Sequence, residues 1–255
     1  MQFGVCAAPE DAGWMKTAGA DYVEGHVQNF LRPMDVAWQP PVARPSVALP
    51  LPAYNCFLPA DQKVTGPDAD AARLAAYAAR ACSRARQMGS TIIVFGSAAA
   101  RNVPEGWPRE KAEDQLVAAM RVVGPIAHAA GITIAMEPLN RGESNILNST
   151  AECLEYIRRA DAVGLAILCD LYHFTLEKEP LDNIELLKGL VVHAHVAEPV
   201  GRTPPRAGMT DLGPCFARLK AIGYDARMSI ECNWNDVRAE LGPTLEFLRK
   251  EWAAA

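Results

Sequence analysis

Eight short apolar runs, separated by longer Ala-, Leu- and Arg-rich stretches, most constrain what this sequence can fold into. Each run is too short for a buried helix and suits a buried strand. The predicted strands are Phe3–Ala7, Tyr22–Glu24, Ala48–Asn55, Thr91–Gly96, Ile132–Glu137, Leu165–Asp170, Val191–Val196 and Met228–Cys232. Strands that alternate with helices in this way form parallel sheets with right-handed crossovers. The count of eight favours a closed (β/α)8 TIM barrel, of class α/β, over an open doubly wound sheet.

Helical patterns fill most segments between these strands. The strongest are Asp68–Met88, Arg109–Ala130, Ser149–Ala162, Asp211–Ile222 and Asn235–Trp252, with weaker ones at Asp11–Gly19 and Leu181–Gly189. Ser149 together with Glu152 predicts a capping box at the start of one of them. The segment Gly25–Pro50 is rich in proline and has little periodicity, so we expect a loop that holds at most one short helix. No linker interrupts the pattern, which predicts a single domain over residues 1–255.

Composition excludes several classes of protein. Half of the 255 residues are apolar, which argues against disorder, and α/β barrels of about this length form one domain. The formal net charge of −5 disfavours a nucleic-acid partner, since counterion release needs a basic surface. No apolar stretch is long enough for a transmembrane helix, and the first residues lack a signal-peptide pattern. The seven cysteines form no CxxC motif, so we expect reduced thiols in a cytoplasmic protein with no membrane association.

Acidic residues and a histidine come at the ends of four successive predicted strands: Glu137, Asp170, His195 and Glu231. The carboxyl ends of barrel strands meet at one rim, so these side chains are predicted to converge. Three carboxylates and an imidazole cannot crowd together in a low-dielectric cleft without a cation. Three oxygen donors and one nitrogen suit Mn²⁺, Mg²⁺ or Co²⁺, and suit Zn²⁺ less well.

Each of these residues also has a simpler interpretation. A single acidic residue after a strand is often the N-cap of the next helix, although a series of such residues after apolar runs is poorly explained by capping. His193 and His195 share one face of their strand because side chains alternate with a period of two. His195 is nearer the strand end and is the predicted ligand, whereas His193 is given a supporting or packing role.

Glu137 and Glu231 are separated by three strands and can therefore lie on opposite sides of a bound substrate. One carboxylate would take a proton from carbon while the other returns a proton from the opposite face. The metal would polarise a carbonyl and hold the resulting enediolate. This arrangement suits isomerisation or epimerisation of an α-hydroxy ketone.

Five sequence motifs, in their order and spacing, resemble the xylose-isomerase-like TIM-barrel superfamily of sugar phosphate isomerases and epimerases. They are Glu137-Pro-Leu-Asn-Arg-Gly-Glu143, Asp170-Leu-Tyr-His173, His193-Ala-His195-Val-Ala-Glu198, Arg202-Thr-Pro-Pro205 and Ser229-Ile-Glu231. Within the superfamily the chain is similar to the ketose 3-epimerase and hydroxypyruvate isomerase branches.

This resemblance implies a role for each matching residue. It implies metal ligation by Glu137, Asp170, His195 and Glu231, with Glu137 and Glu231 also acting as the catalytic acid–base pair. It implies further that His173, Arg202 and Glu143 bind substrate hydroxyl groups. The cofactor implied is one divalent metal ion, with no nucleotide.

Other polar residues near the predicted rim have two interpretations each. Asn55, at the end of a predicted strand, is a candidate to line the pocket and bind substrate. Arg101 is a candidate to clamp a carboxylate or phosphate of the substrate, with a surface ion pair as the alternative. Glu24 and His26 either contact sugar hydroxyls or have capping or solvated roles. Cys6 either lines the pocket or is a packed thiol.

The favoured function is a metal-dependent isomerase or epimerase of a small ketose, ketoacid or related sugar. One alternative is a metal-dependent lyase or dehydratase of a keto sugar or keto-inositol, similar to inosose dehydratases. A phosphodiesterase resembling endonuclease IV is disfavoured by the presence of only five histidines and by the acidic balance. A non-catalytic sugar-binding accessory subunit is the remaining alternative. The sequence leaves open whether the carbohydrate is phosphorylated, and it is compatible with a homodimer or homotetramer.

Overall fold

Eight parallel strands close into a barrel in the computed structural model, which describes residues 1–40 and 48–255. The strands are β1 Gln2–Cys6, β2 Tyr22–His26, β3 Ala53–Asn55, β4 Ile92–Phe95, β5 Thr133–Met136, β6 Leu165–Asp170, β7 Val191–Val196 and β8 Arg227–Ile230. Strand β1 pairs with both β2 and β8, so the sheet has no free edge. The predicted (β/α)8 TIM barrel is confirmed.

The α-helices surround the barrel. Within the described residues they are α1 Ala12–Thr17, α2 Ala71–Gln87, α3 Ala98–Arg101, α4 Arg109–Ala129, α5 Thr150–Ala160, α6 Leu171–Leu176, α7 Gly213–Ala221 and α8 Val237–Ala254. Short 3₁₀-helices occupy Pro9–Asp11 and Leu181–Leu187, and a π-helix occupies Val27–Leu31. No helix of the described chain is both long and apolar enough to cross a membrane.

Several segments differ from the sequence prediction, and three of them have a clear description. Strand β3 is shorter than the predicted Ala48–Asn55 because Pro50 and Pro52 have no N–H to donate to a ladder. The predicted helix Leu181–Gly189 is a 3₁₀-helix rather than an α-helix. In the irregular loop Gly25–Pro50 the short helix is the π-helix, and residues 41–47 of that loop lie outside the described residues.

Side-chain caps explain where several helices begin. Asp70 accepts hydrogen bonds from two backbone N–H groups at the start of α2, and Asp236 does the same for α8. Ser149 Oγ accepts from Glu152 N at the start of α5, as predicted. The Glu152 carboxylate reaches further back than a capping box requires and accepts from Leu147 N and Asn148 N.

A register shift between β6 and β7 sets the positions of two predicted site residues. Ile167 pairs with Val191, but Leu168 pairs with His193, so β7 carries one extra residue at this point. The shift brings Asp170 directly beside His195 in the next strand. Both residues lie at the carboxyl end of the barrel, where the other predicted ligands also lie.

Gly124 permits helix α4 to lie close to the start of β6. A Cβ atom at this position would be 2.5 Å from the carbonyl oxygen of Val163 and 3.1 Å from Leu165 Cγ. Since one of these neighbours is backbone, the clash cannot be relieved by a side-chain rotation. Gly242, inside α8, is a contrasting case because its Cβ would meet nothing nearer than Ala18 O at 3.6 Å.

We expect Gly124→Ala to lower the free energy of unfolding by about 1–3 kcal/mol through overpacking. Gly242→Ala should leave it unchanged or raise it by up to about 1 kcal/mol, because alanine favours a helix interior. Urea denaturation followed by circular dichroism measures both variants. Equal stability of the two variants would contradict the close approach of α4 to β6.

Candidate metal centre

Four side chains from four successive strands converge at the carboxyl rim of the barrel: Glu137, Asp170, His195 and Glu231. One possible ligand atom from each lies within 4.8 Å of the others. His195 Nδ1 is 3.3 Å from Glu137 Oε1 and 3.4 Å from Glu231 Oε2. The convergence inferred from the strand ends is therefore present in the structure.

Three of these ligand atoms lack hydrogen-bond partners although they are buried. They are Glu137 Oε1, Asp170 Oδ2 and His195 Nδ1, none of which has a partner among the described residues. Unpaired buried polar atoms are costly, and three of them directed at one point indicate that another group satisfies them. Carboxylate oxygens with one imidazole nitrogen form a donor set that fits a divalent cation.

Asp170 uses its two carboxylate oxygens differently. Its Oδ1 accepts a hydrogen bond of 2.7 Å from Tyr172 N at the start of α6. Its Oδ2 has no such bond and lies on the side of the cluster. The residue thus caps a helix with one oxygen and leaves the other free for a ligand.

Glu24, fully buried on β2, fixes the orientation of the His195 ring. Both Glu24 oxygens are 3.1 Å from His195 Nε2. Glu24 Oε2 also accepts from His193 Nε2 at 2.7 Å and from Ser229 Oγ at 2.6 Å, and Tyr22 Oη lies 2.9 Å from the same hydroxyl. With the Nε2 proton donated to Glu24, the lone pair of neutral His195 is on Nδ1 and faces the three acidic ligands.

The supporting role expected for His193 is consistent with this network. Glu24 was not identified as a partner of His195 from the sequence, although it also follows an apolar run and could have been found by the same test. Its strand was predicted to end at Glu24 itself, whereas β2 continues to His26.

Burial and charge move the carboxyl pKa values in different directions. Burial raises the pKa of Asp170 to about 6 and also raises the pKa of Glu137. Burial acts in the same sense on Glu231, but the charges of His195 and Arg202 outweigh it and lower that pKa to about 2. Glu231 is therefore an ionised carboxylate, whereas Glu137 has the greater tendency to hold a proton.

His195 responds to the same surroundings. Burial lowers the pKa of the imidazole, but the negative charges of Glu24 and Glu231 outweigh burial and raise it well above the ordinary value. In the absence of another cation, a proton on Nδ1 balances the charge of the neighbouring carboxylates. A bound metal ion would take the place of that proton.

A cavity of about 360 Å³ opens over the cluster and contains Asn55, Glu143, His173 and Arg202 in its wall. Asn55 Nδ2 donates to Glu231 Oε1 at 2.8 Å, and Arg202 Nη2 donates to Glu231 Oε2 at 2.5 Å. Arg202 Nη1 lies 3.4 Å from Glu143 Oε1. Four of the five residues predicted to bind substrate therefore line the same cavity as Glu137 and Glu231.

Asn140, which the sequence analysis did not select, connects His173 with Glu143. Its backbone N and its Nδ2 lie 3.1 and 2.8 Å from His173 Nδ1, and Nδ2 also donates to Glu143 Oε1 at 2.9 Å. Because Nδ1 accepts, neutral His173 carries its proton on Nε2. That Nε2 has no hydrogen-bond partner within the described chain, so it is available as a donor to a ligand.

Arg101 differs from both sequence interpretations, because it neither faces the cavity nor lies on the surface. It is fully buried, and its guanidinium donates to the backbone carbonyls of Glu137 at 2.8 Å and Phe95 at 3.2 Å. It also donates to Leu147 O at 3.4 Å. Arg101 therefore joins the ends of β4 and β5 to the loop that follows β5.

His26 and Cys6 lie at the same rim. His26 Nδ1 caps the π-helix by accepting from Gln28 N and Asn29 N at 3.1 and 3.2 Å. Of the two interpretations given for His26, the structure shows the capping role. Cys6 is half-buried beside Glu24 and lines a second cavity, as one of its interpretations required.

The sequence is similar to those of known proteins. The sequence model of the xylose isomerase-like TIM barrel matches residues 13–251. An L-ribulose 3-epimerase of Mesorhizobium japonicum is 27% identical over 204 residues, which cover 79% of this chain and 68% of that protein. A 3-dehydro-D-guloside 4-epimerase of Escherichia coli K12 is 31% identical over 126 residues, which cover 48% of this chain and 45% of that protein. The match thus spans about half the length of this relative.

A solved structure has the same fold. The D-psicose 3-epimerase of Clostridium cellulolyticum H10, determined with D-tagatose, superposes with a TM-score of 0.86 over 99% of both chains at 17% identity. Because the family match extends over nearly the whole sequence, the chain belongs to the xylose isomerase-like TIM-barrel family.

Proposed function

We propose that the protein is a divalent-metal-dependent epimerase or isomerase of a keto sugar, in which Glu137 and Glu231 transfer a proton at the carbon beside the carbonyl. One observation carries this proposal: two glutamates face one cavity beside a buried cluster of carboxylate and imidazole atoms that lack hydrogen-bond partners among the described residues. The opposite directions of their pKa shifts in the absence of a metal are consistent with one carboxyl acting as acid and the other as base. The sugar epimerases among the relatives support the substrate class.

Glu137, Asp170, His195 and Glu231 would hold the metal ion, which would polarise the substrate carbonyl when bound. Glu231 is already ionised and would act as the base. Asn55 and Arg202 each hold one of its oxygens, so the carboxylate has a fixed direction. Such prior orientation removes an entropic cost from the proton transfer.

Glu137, which has the greater tendency to hold a proton, would donate its own proton to carbon from the other side of the substrate. Its backbone carbonyl is held by Arg101, which restricts movement of the strand end that carries it. His173 would donate its Nε2 proton to a substrate oxygen. Return of a proton to the same carbon gives an epimer, and return to the neighbouring carbon gives an isomer.

In deuterated water with Mg²⁺, the protein should exchange the hydrogen beside the carbonyl of a ketose substrate for deuterium, as followed by ¹H NMR. Glu231→Gln should reduce this rate by about 10²–10⁴-fold, which is the usual contribution of a positioned base. The control is Glu246→Gln, at an exposed position on α8. Full activity of Glu231→Gln would contradict the proposal, and a product lighter by one water molecule would indicate a dehydratase.

Metal affinity should increase as the pH rises through about 6. Below that pH the raised pKa of Asp170 keeps its carboxyl protonated, so the metal has to displace that proton as well as the one on His195, whose pKa is also raised. Above about 6 the competition at Asp170 ends, and the proton on His195 remains to be displaced. Calorimetric titration with Mn²⁺ in buffers of different ionisation enthalpy would show the tighter binding and the released protons. Affinity independent of pH between about 5 and 7.5, without proton release, would contradict the site.

Glu24→Gln should weaken Mn²⁺ binding by about 10–100-fold, because the carboxylate that orients the ligand histidine is lost. Tyr22→Phe is the matched control, since it removes a hydroxyl from the same network without touching His195. Calorimetry measures the affinity, and circular dichroism verifies that both variants fold. Equal affinity in Glu24→Gln and the wild type would exclude an orienting role for Glu24.

A further inference from the structure

A second cavity lies at the same rim of the barrel, beside the cavity that Glu137 and Glu231 line, which we call the catalytic cavity. It has a volume of about 310 Å³, and its wall comes from the ends of β1 and β2 and from the short helices that follow them. We call it the β1–β2 cavity. Asn55 lines both cavities, so the two adjoin at this residue. The volume of each cavity alone is near the lower end of the range found for ligand sites. A larger ligand made of two groups could therefore occupy both cavities together.

Several polar groups that line the β1–β2 cavity form no hydrogen bond within the described residues. His26 accepts two N–H groups at Nδ1, so its remaining polar group in the neutral ring is Nε2–H. Burial lowers the pKa of His26, which favours that neutral form. The side chains of Glu10 and Asn29 make no hydrogen bond to any described residue. The cavity therefore offers a neutral donor, an acceptor and an amide.

An aromatic side chain completes the lining. Phe30 is half-buried, and its ring is stacked on Tyr54 with centroids 6.0 Å apart and planes 18° apart. A rigid apolar surface beside donors and acceptors is the combination that binds a sugar ring, whose C–H faces are apolar and whose edges carry hydroxyls. A cavity lined only by polar groups would bind water as readily as it binds the hydroxyls of a sugar.

Charge limits what can occupy this cavity. The described residues that line it include the carboxylates of Glu10 and Glu24 but no lysine or arginine. A phosphate group there would meet negative charge without a bidentate partner. Arg202, in the catalytic cavity, is already engaged by Glu231 and Glu143. An uncharged group is favoured over a phosphorylated one.

We propose that the two cavities bind one substrate, an uncharged keto sugar that carries a second sugar ring. The reacting carbons lie between Glu137 and Glu231, and the second ring passes Asn55 into the β1–β2 cavity. This inference rests on the proposed function and adds the substrate class: a glycosylated keto sugar in preference to a free or phosphorylated one.

Three commercial ketoses that differ at one oxygen test the inference. D-Fructose, isomaltulose (6-O-α-D-glucosyl-D-fructose) and D-fructose 6-phosphate carry hydrogen, glucosyl and phosphoryl at the same position. Deuterium exchange with Mg²⁺ gives kcat/KM for each, and calorimetry on Glu231→Gln gives Kd without turnover. We expect isomaltulose to bind at least about tenfold more tightly than D-fructose, and the phosphate to bind no better than D-fructose.

Substitutions in the β1–β2 cavity test whether the preference for isomaltulose arises there. Glu10→Ala and Asn29→Ala should each lower the ratio of kcat/KM for isomaltulose to that for D-fructose by about 3–10-fold, the usual effect of one lost hydrogen bond. Both residues are exposed and make no side-chain hydrogen bonds within the described chain, so folding should not be affected. Glu246→Ala is the control and should leave the ratio unchanged.

The outcomes separate this inference from the proposed function. Exchange with D-fructose at a rate and Kd equal to those of isomaltulose would overturn the second-ring subsite and leave the proposed function in place. Tighter binding of the phosphate would also overturn it, because the cavity would then bind an anion. Absence of both exchange and binding with all three ketoses would overturn both proposals.

Discussion

The carboxylate of Glu24, buried between two histidines and a serine, is the contact on which the chemistry of this barrel depends. It accepts a hydrogen bond from Nε2–H of His195, so Nδ1 faces the carboxylates of Glu137, Asp170 and Glu231. Burial of such a charge is costly unless it is fully hydrogen-bonded, and Glu24 meets that condition with His193, His195 and Ser229. Orientation of the imidazole is thus determined inside the barrel, below the rim where substrate would bind.

Two arginines support the site in different ways. Arg202 reaches Glu231 from the rim and lies over the ring of Tyr172, 4.5 Å from its centroid. Arg101 forms no ion pair with a carboxylate among the described residues and instead donates to three backbone carbonyls. One guanidinium therefore acts on the ionisation of a site carboxylate, whereas the other maintains the position of the backbone that carries Glu137.

The barrel and its cluster of three carboxylates and one imidazole could be predicted because both follow from local patterns. Each member of the cluster comes at the end of an apolar run, and the common direction of the strands brings those ends together. The role of Arg101 could not be predicted, because its burial depends on carbonyls from three separated segments. Asn140 gave no signal either, since an asparagine in a loop has many possible partners. The shortened β3 was predictable in principle from Pro50 and Pro52, which cannot donate to a ladder.

The ligands and their orienting partner come from different halves of the chain. The four converging side chains lie on β6 and β7 or directly follow β5 and β8, whereas Glu24 lies on β2. The two regions meet through the pairing of β8 with β1 and of β1 with β2. Glu24 therefore orients the His195 imidazole only where β1 and β2 close the barrel. By linkage, a cation that binds the oriented donor atoms would stabilise the closed barrel relative to any form in which β1 and β2 are detached.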